Sequence, residues 1–166
     1  MRGLYQLRSA AIIATLWLVL PQIYSFCLFS TLIATHQIKY SGIIHDRHLP
    51  LIYALRFDYT SASILNFTPL VGFTSGIFIA VNPTTTSARS GVLRHELRHV
   101  WQFALMGPLR IYTSFNTFHH LLGYDYWSTY LSNPFERDAY RFSNEQAKYN
   151  ELIDQHAPSI DRLRLS

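Results

Sequence analysis

Cysteine is almost missing from this chain: Cys27 stands alone. One thiol can form no intrachain disulfide and cannot build a cysteine-type zinc site, so any metal centre has to be made from histidines and carboxylates. Charge is scarce as well, at 14% of residues against the usual roughly one quarter. There is no Lys/Arg run and no basic-aromatic stripe, which excludes a visible nucleic-acid footprint, and no nucleic-acid partner is expected. The net charge of +4 drops to +2 once Arg2 and Arg8, which precede the first apolar stretch, are set aside. Internal repeats and low-complexity tracts are missing too.

The longest gap in charge has a direct reading. Residues 9–37 contain no Asp, Glu, Lys or Arg, and residues 10–34 read AAIIATLWLVLPQIYSFCLFSTLIA. About 20 apolar residues cross a bilayer as a helix, so the stretch is long enough despite Pro21. A cleaved signal peptide competes with this reading, since Arg2 and Arg8 form a positive leader. The apolar run exceeds the roughly 7 to 15 residues usual there, however, and no A-x-A site follows it. The division expected is a membrane anchor or signal segment over residues 1–35 and one domain over 36–166. Arg2, Arg8 and the amino terminus against Lys39 and Arg47 favour a cytoplasmic N-terminus, with the domain outside the cytoplasm, periplasmic or extracellular.

Past the anchor, His36, Lys39, His45, Asp46, Arg47 and His48 precede a mostly apolar run at 49–57. Gly42 and Pro50 bracket the histidines, and no carboxylate-bearing helix pattern surrounds them, so the segment reads as a solvated linker without a metal role. Residues 59–88 carry no charge, but Pro69, Gly72, Gly76 and Pro83 cut them into short pieces. Strands are expected near 53–66 and 73–81. A helix over 88–106 follows, stopped by Gly107 and Pro108, with further helices around 110–122 and from 134 to about 155, the last opened by Asn133 and Pro134. The fold class is therefore α+β: an N-terminal transmembrane helix, then a small domain with a short sheet.

On the 88–106 helix stands His95-Glu96-Leu97-Arg98-His99. Residues four apart on a helix lie about 40° apart around its axis, one turn above each other, so both imidazoles can reach one ion. Zinc takes imidazole nitrogen and, in catalytic sites, three protein ligands plus a water whose pKa it lowers to about 7. Glu96, beside the pair, can accept that water's proton as general base and pass it to a leaving amine. The wheel places Leu93, Leu97, Val100 and Ala104 on a packing stripe, His95 and His99 with Val92, Phe103 and Met106 on a second face, and Arg94 and Arg98 on a third, suited to solvent. A third ligand is open among Glu136, His119, His120, Asp125 and Asp138. Glu136 also fits a capping box with Asn133, in which it would only satisfy a backbone N–H.

With these residues in view, the chain resembles the zincin metallopeptidases, and within them the gluzincin type, whose third zinc ligand is a glutamate on a later helix. The matching pieces are residues 95–102, HELRHVWQ, and 133–139, NPFERDA. The resemblance implies a zincin-like domain in which His95, His99 and Glu136 hold zinc and Glu96 is the base of a metalloendopeptidase acting on a peptide or protein substrate. It further implies that the strand at 73–81 is the sheet edge on which an extended peptide pairs. The metzincin branch would need Gly and His where Gln102 and Leu105 stand. Some gluzincins carry an Asp four residues after the ligand glutamate; Tyr140 occupies that position, with Asp138 as a substitute. Tyr124, Tyr126, Tyr130, Tyr140 and Arg141 are all chemically able to serve as an oxyanion donor. Two readings compete with the anchored endopeptidase: an intramembrane metalloprotease, against which Arg94 and Arg98 count at roughly 2.5 to 3.5 kcal/mol each at mid-membrane, and a non-catalytic tethered binding module that keeps the fold.

Overall fold

The structure is a computed structural model that describes residues 2–49, 51–61, 63, 71–83, 90–107 and 126–164. Helix α1 (Arg2–Ala34) is followed by strands β1 (Ile38–His45), β2 (Tyr53–Tyr59), β3 (Gly72–Ser75) and β4 (Phe78–Val81). Among the described residues, helices α2 (Ser90–Met106), α3 (Tyr126–Ser132), α4 (Pro134–Phe142) and α5 (Gln146–Arg164) follow. The architecture is α+β around one four-stranded sheet of order β1-β2-β4-β3, with β2 and β4 parallel and the other pairs antiparallel.

The sheet is covered on both faces, and β4 shows why. All four of its residues are buried, as a central strand with two covered faces requires. Alternate side chains part to opposite sides: Ile79 and Val81 join Leu97 and Val100 of α2, while Phe78 and Ala80 join Phe29 of α1. Phe29 is 1% exposed and lies against Phe57, Phe73 and Phe78 at centroid distances of 5.2, 5.9 and 5.0 Å.

Among the described residues α1 is the one helix long and apolar enough to cross a membrane, over Arg8–Ala34. Its hydroxyls are turned back on its own carbonyls, Thr15 to Ala11, Ser25 to Pro21 and Thr31 to Cys27, the arrangement that satisfies them without water. One face exposes Ile12, Ile13, Leu16, Leu20, Ile23 and Phe26. The other carries Trp17, Ser25 and Phe29 onto the rest of the chain.

Four expectations are corrected. The solvated linker expected ahead of residue 49 contains β1: among the described residues no strand pairs with its outer edge, it keeps exposed polar residues, and Gly42, at φ 145°, takes up the register shift against β2. The strand at 73–81 is a hairpin turned by Gly76, whose φ of 59° suits the first central position of a two-residue turn; of its two strands, β3 is the outer one among the described residues and β4 is central. The helix from 134 breaks at Ser143 to Glu145. There Asn144 adopts φ 61°, and the N–H groups of Asn144 and Glu145 return to the carbonyls of Arg141 and Tyr140 in a Schellman arrangement. On α2, Val92 belongs to the core while Ala104 is exposed. The helix expected at 110–122 lies outside the described residues.

Candidate metal centre

Helix α2 runs against β3, and their contact builds the first half of the site. Glu96 is 5% exposed, and its Oε2 accepts a hydrogen bond from Thr74 Oγ1 at 2.5 Å. The same hydroxyl lies 3.2 Å from the Glu96 carbonyl. Gly72 is required by the same approach, because a Cβ there would stand 2.5 Å from Glu96 Oε1. The carboxylate is thus held between a hydroxyl and bare backbone of the edge strand.

Helix α4 brings the second half. Asn133 caps it by accepting from the Phe135 N–H at 2.9 Å, and its own N–H donates to Tyr130 O at 3.2 Å. The Glu136 carboxylate reaches the histidines. Its Oε2 lies 3.3 Å from both His95 Nε2 and His99 Nε2, and the two nitrogens are 3.1 Å apart. All three residues are buried. Donors about 2.05 Å from a tetrahedral ion are separated by about 3.3 Å, so the triangle has the dimensions of three ligand positions around one metal.

Gln102 Nε2 faces two groups that can only accept, Phe135 O at 3.1 Å and Asp138 Oδ2 at 2.8 Å. That assigns its Oε1 to His99 Nδ1, 2.7 Å away, so Nδ1 carries the proton and a neutral His99 offers the Nε2 lone pair. A lone pair directed at a carboxylate oxygen 3.3 Å away is repulsive unless a cation sits between them, a proton or a metal ion. Burial alone would raise the Glu136 carboxyl; where the intervening cation is a proton on the imidazoles, the charges and hydrogen bonds of His99 and His95 outweigh burial and hold the group well below the ordinary carboxylate range. The donor set and its spacing fit a metal ion. His95 Nδ1, by contrast, is buried with no hydrogen-bond partner among the described residues, and the ring rests edge-on against Tyr140 at 4.6 Å.

The arginines expected in solvent are paired instead. Arg98 makes two bonds to Asp138, at 2.6 and 3.1 Å, and lies over the Trp101 ring. Arg94 meets Asp46 at 3.1 Å and lies over Phe142. Asp138 therefore joins Arg98, Gln102 and, through Gln102, His99. It reaches the site as a support, and the triangle does not include it. Gln102, Thr74 and Gly72 join the site beyond the residues the motif names; of these, only Gln102 carries a sequence signal, its spacing of three from His99 on a helix.

Of the five possible oxyanion donors, Tyr126 and Tyr140 are pushed up to about 12, by burial first and then by Glu136 and Glu96 among their neighbours, so both stay protonated donors. Tyr130 bonds the Tyr140 hydroxyl at 3.3 Å. Arg141 is exposed. Tyr124, His119, His120 and Asp125 lie outside the described residues.

No protein-family model, curated protein or solved structure matches this chain.

Proposed function

We propose that the chain is a zinc-dependent peptide hydrolase of the zincin kind, with His95, His99 and Glu136 as ligands and Glu96 as general base. The observation that supports this most is the buried triangle of two imidazole nitrogens and one carboxylate oxygen at 3.1 to 3.3 Å, with a second buried carboxylate one residue from His95. A structural site has no use for a base there. Nitrogen and oxygen donors in this number suit zinc with a position left open.

When bound, zinc would polarise the scissile carbonyl and make a water acidic near neutral pH. The chain's own residues supply the rest. Gln102 orients the His99 ring, and Asp138 holds Gln102. Thr74 and Gly72 keep the Glu96 carboxylate in place to accept a proton and return it to the leaving amine. The outer edge of β3, beside Glu96 and unpaired among the described residues, can pair an extended peptide main chain. Tyr126 and Tyr140, held protonated, are suited to donate to the oxygen that gains charge. Helix α1 would tether the enzyme to the membrane, with the rest of the chain outside the cytoplasm.

The test is Glu96→Gln in the full chain. Zinc content is expected to stay at the wild-type level while hydrolysis of a generic peptide falls by about 10³-fold or more, since the amide accepts no proton. Hydrolysis near the wild-type rate would move the base elsewhere.

A further inference from the structure

Helix α1 poses a geometric problem. Arg8 is its last charge, so a bilayer span begins after it and needs about 20 residues to cross roughly 30 Å of hydrocarbon. Yet the helix already touches the rest of the chain at Trp17, whose indole nitrogen lies 2.3 Å from where a Cβ on Gly107 would be. Contact continues at the β3–β4 turn, where a Cβ on Gly76 would meet Gln22 and Ser25. Ser25 and Ser75 join their hydroxyls at 2.9 Å, and Phe29 enters the sheet. From Arg8 to Trp17 the helix rises only about 13 Å, under half the hydrocarbon thickness. A span through this helix cannot keep those contacts outside the bilayer.

The surfaces that would then meet lipid are apolar. Ile77, in the β3–β4 turn, is 42% exposed, and Leu105, on the last turn of α2 before Gly107, is 60% exposed. At the same end of the sheet, where the Leu55 N–H bonds the Ile77 carbonyl, Leu51 is 89% exposed. Ile77 and Leu105 lie next to the points where α1 meets the rest of the chain, at Gly76 and Gly107. Residues 99–107 of α2 carry no charge. Arg94 and Arg98, which count against membrane insertion when unpaired, are matched to Asp46 and Asp138. Arg47 in the β1–β2 connection donates to His48, and an arginine stem is long enough to carry its charge to the interface.

We propose that the site works at the lipid boundary, with the end of α2 and the β3–β4 turn in hydrocarbon, and that its substrate is a membrane-embedded polypeptide segment. A strand added to β3 would lie beside Ser75 and Gly76, where they meet α1, so the segment would enter alongside the anchor. The substrate half of this inference rests on the peptidase reading; the depth half does not.

The full chain, with Cys27→Ala, is placed in phosphatidylcholine vesicles with single fluorescent labels at Leu105→Cys, Ile77→Cys or Ala147→Cys, the last an exposed position on α5. Labels at 105 and 77 are expected to be quenched by lipids carrying a quencher on the acyl chain and spared by aqueous iodide, with the reverse at 147. Iodide quenching at 105 and 77 overturns the proposal whatever the enzyme cleaves. In the same vesicles, a peptide with an apolar spanning segment is expected to be cut about 10²-fold faster than the same scissile sequence free in water, the gain from sharing one surface. Equal rates overturn the substrate assignment. Lipid quenching with neither peptide cut overturns the peptidase reading, and with it the substrate, while leaving the depth in place.

Discussion

The His99 ring is oriented from behind. Gln102 accepts from Nδ1 and is itself fixed by Asp138 and the Phe135 carbonyl, so the side chain of Gln102 decides which nitrogen faces the site. Replacing it by leucine keeps the volume and removes the acceptor. Zinc affinity of Gln102→Leu is expected to fall about 10- to 100-fold, as for other losses behind a metal ligand, with an unchanged circular dichroism spectrum. Chelator competition reads the difference, and equal affinities would mean that packing alone orients the ring. Asp138 gives a pH prediction. Burial would raise its carboxyl, but hydrogen bonds from Arg98 and Gln102 and the Arg98 charge hold it below the usual range. A lowered folded-state pKa stabilises fully above the unfolded value of about 3.9 and is lost as pH falls through the lowered one. Wild type is therefore expected to lose more urea resistance between pH 6 and acid than Asp138→Asn does; parallel losses would contradict this.

At the scale of elements, the junction of β3 with α2 is the most sensitive. A methyl at Gly72 would meet the Glu96 carboxylate at 2.5 Å, and neither the strand nor the helix backbone can give way without breaking its ladder. Gly72→Ala is expected to retain zinc and lose most hydrolysis, because the base moves and the ligands do not. Retained activity would mean that β3 yields. This junction was invisible in the sequence, where Gly72 reads only as turn punctuation. The motif helix was legible, since HELRH and the Gly107 stop are local signals, and so was the α4 start at Asn133 and Pro134. β1 was not: an edge strand with a bulge carries polar residues that look like a linker. Nor was the αL break at Asn144, a conformation that any Asn can take but few announce. The pairing of Arg94 and Arg98 depends on Asp46 and Asp138, far away in sequence, which a helical wheel cannot include.

Over the whole molecule, the apolar N-terminal stretch takes part in the core. Phe29 fills the second face of the sheet among Phe57, Phe73 and Phe78, so the sheet that positions Glu96 is built partly from α1. Phe29→Ala is expected to cost about 3 to 5 kcal/mol of stability, read by denaturation in detergent, as for other buried phenylalanines. A cost near zero would mean that α1 and the sheet separate freely. Whether three donors from two helices far apart in sequence hold one zinc ion is measured most directly as zinc bound per chain to the purified full chain at fixed free zinc. Wild type and Asn133→Ala, which loses a helix cap worth about 1 kcal/mol and no ligand atom, are expected to bind one equivalent; Glu136→Gln and His95→Ala are expected to bind little. One equivalent retained in Glu136→Gln, or none in wild type, would contradict the account.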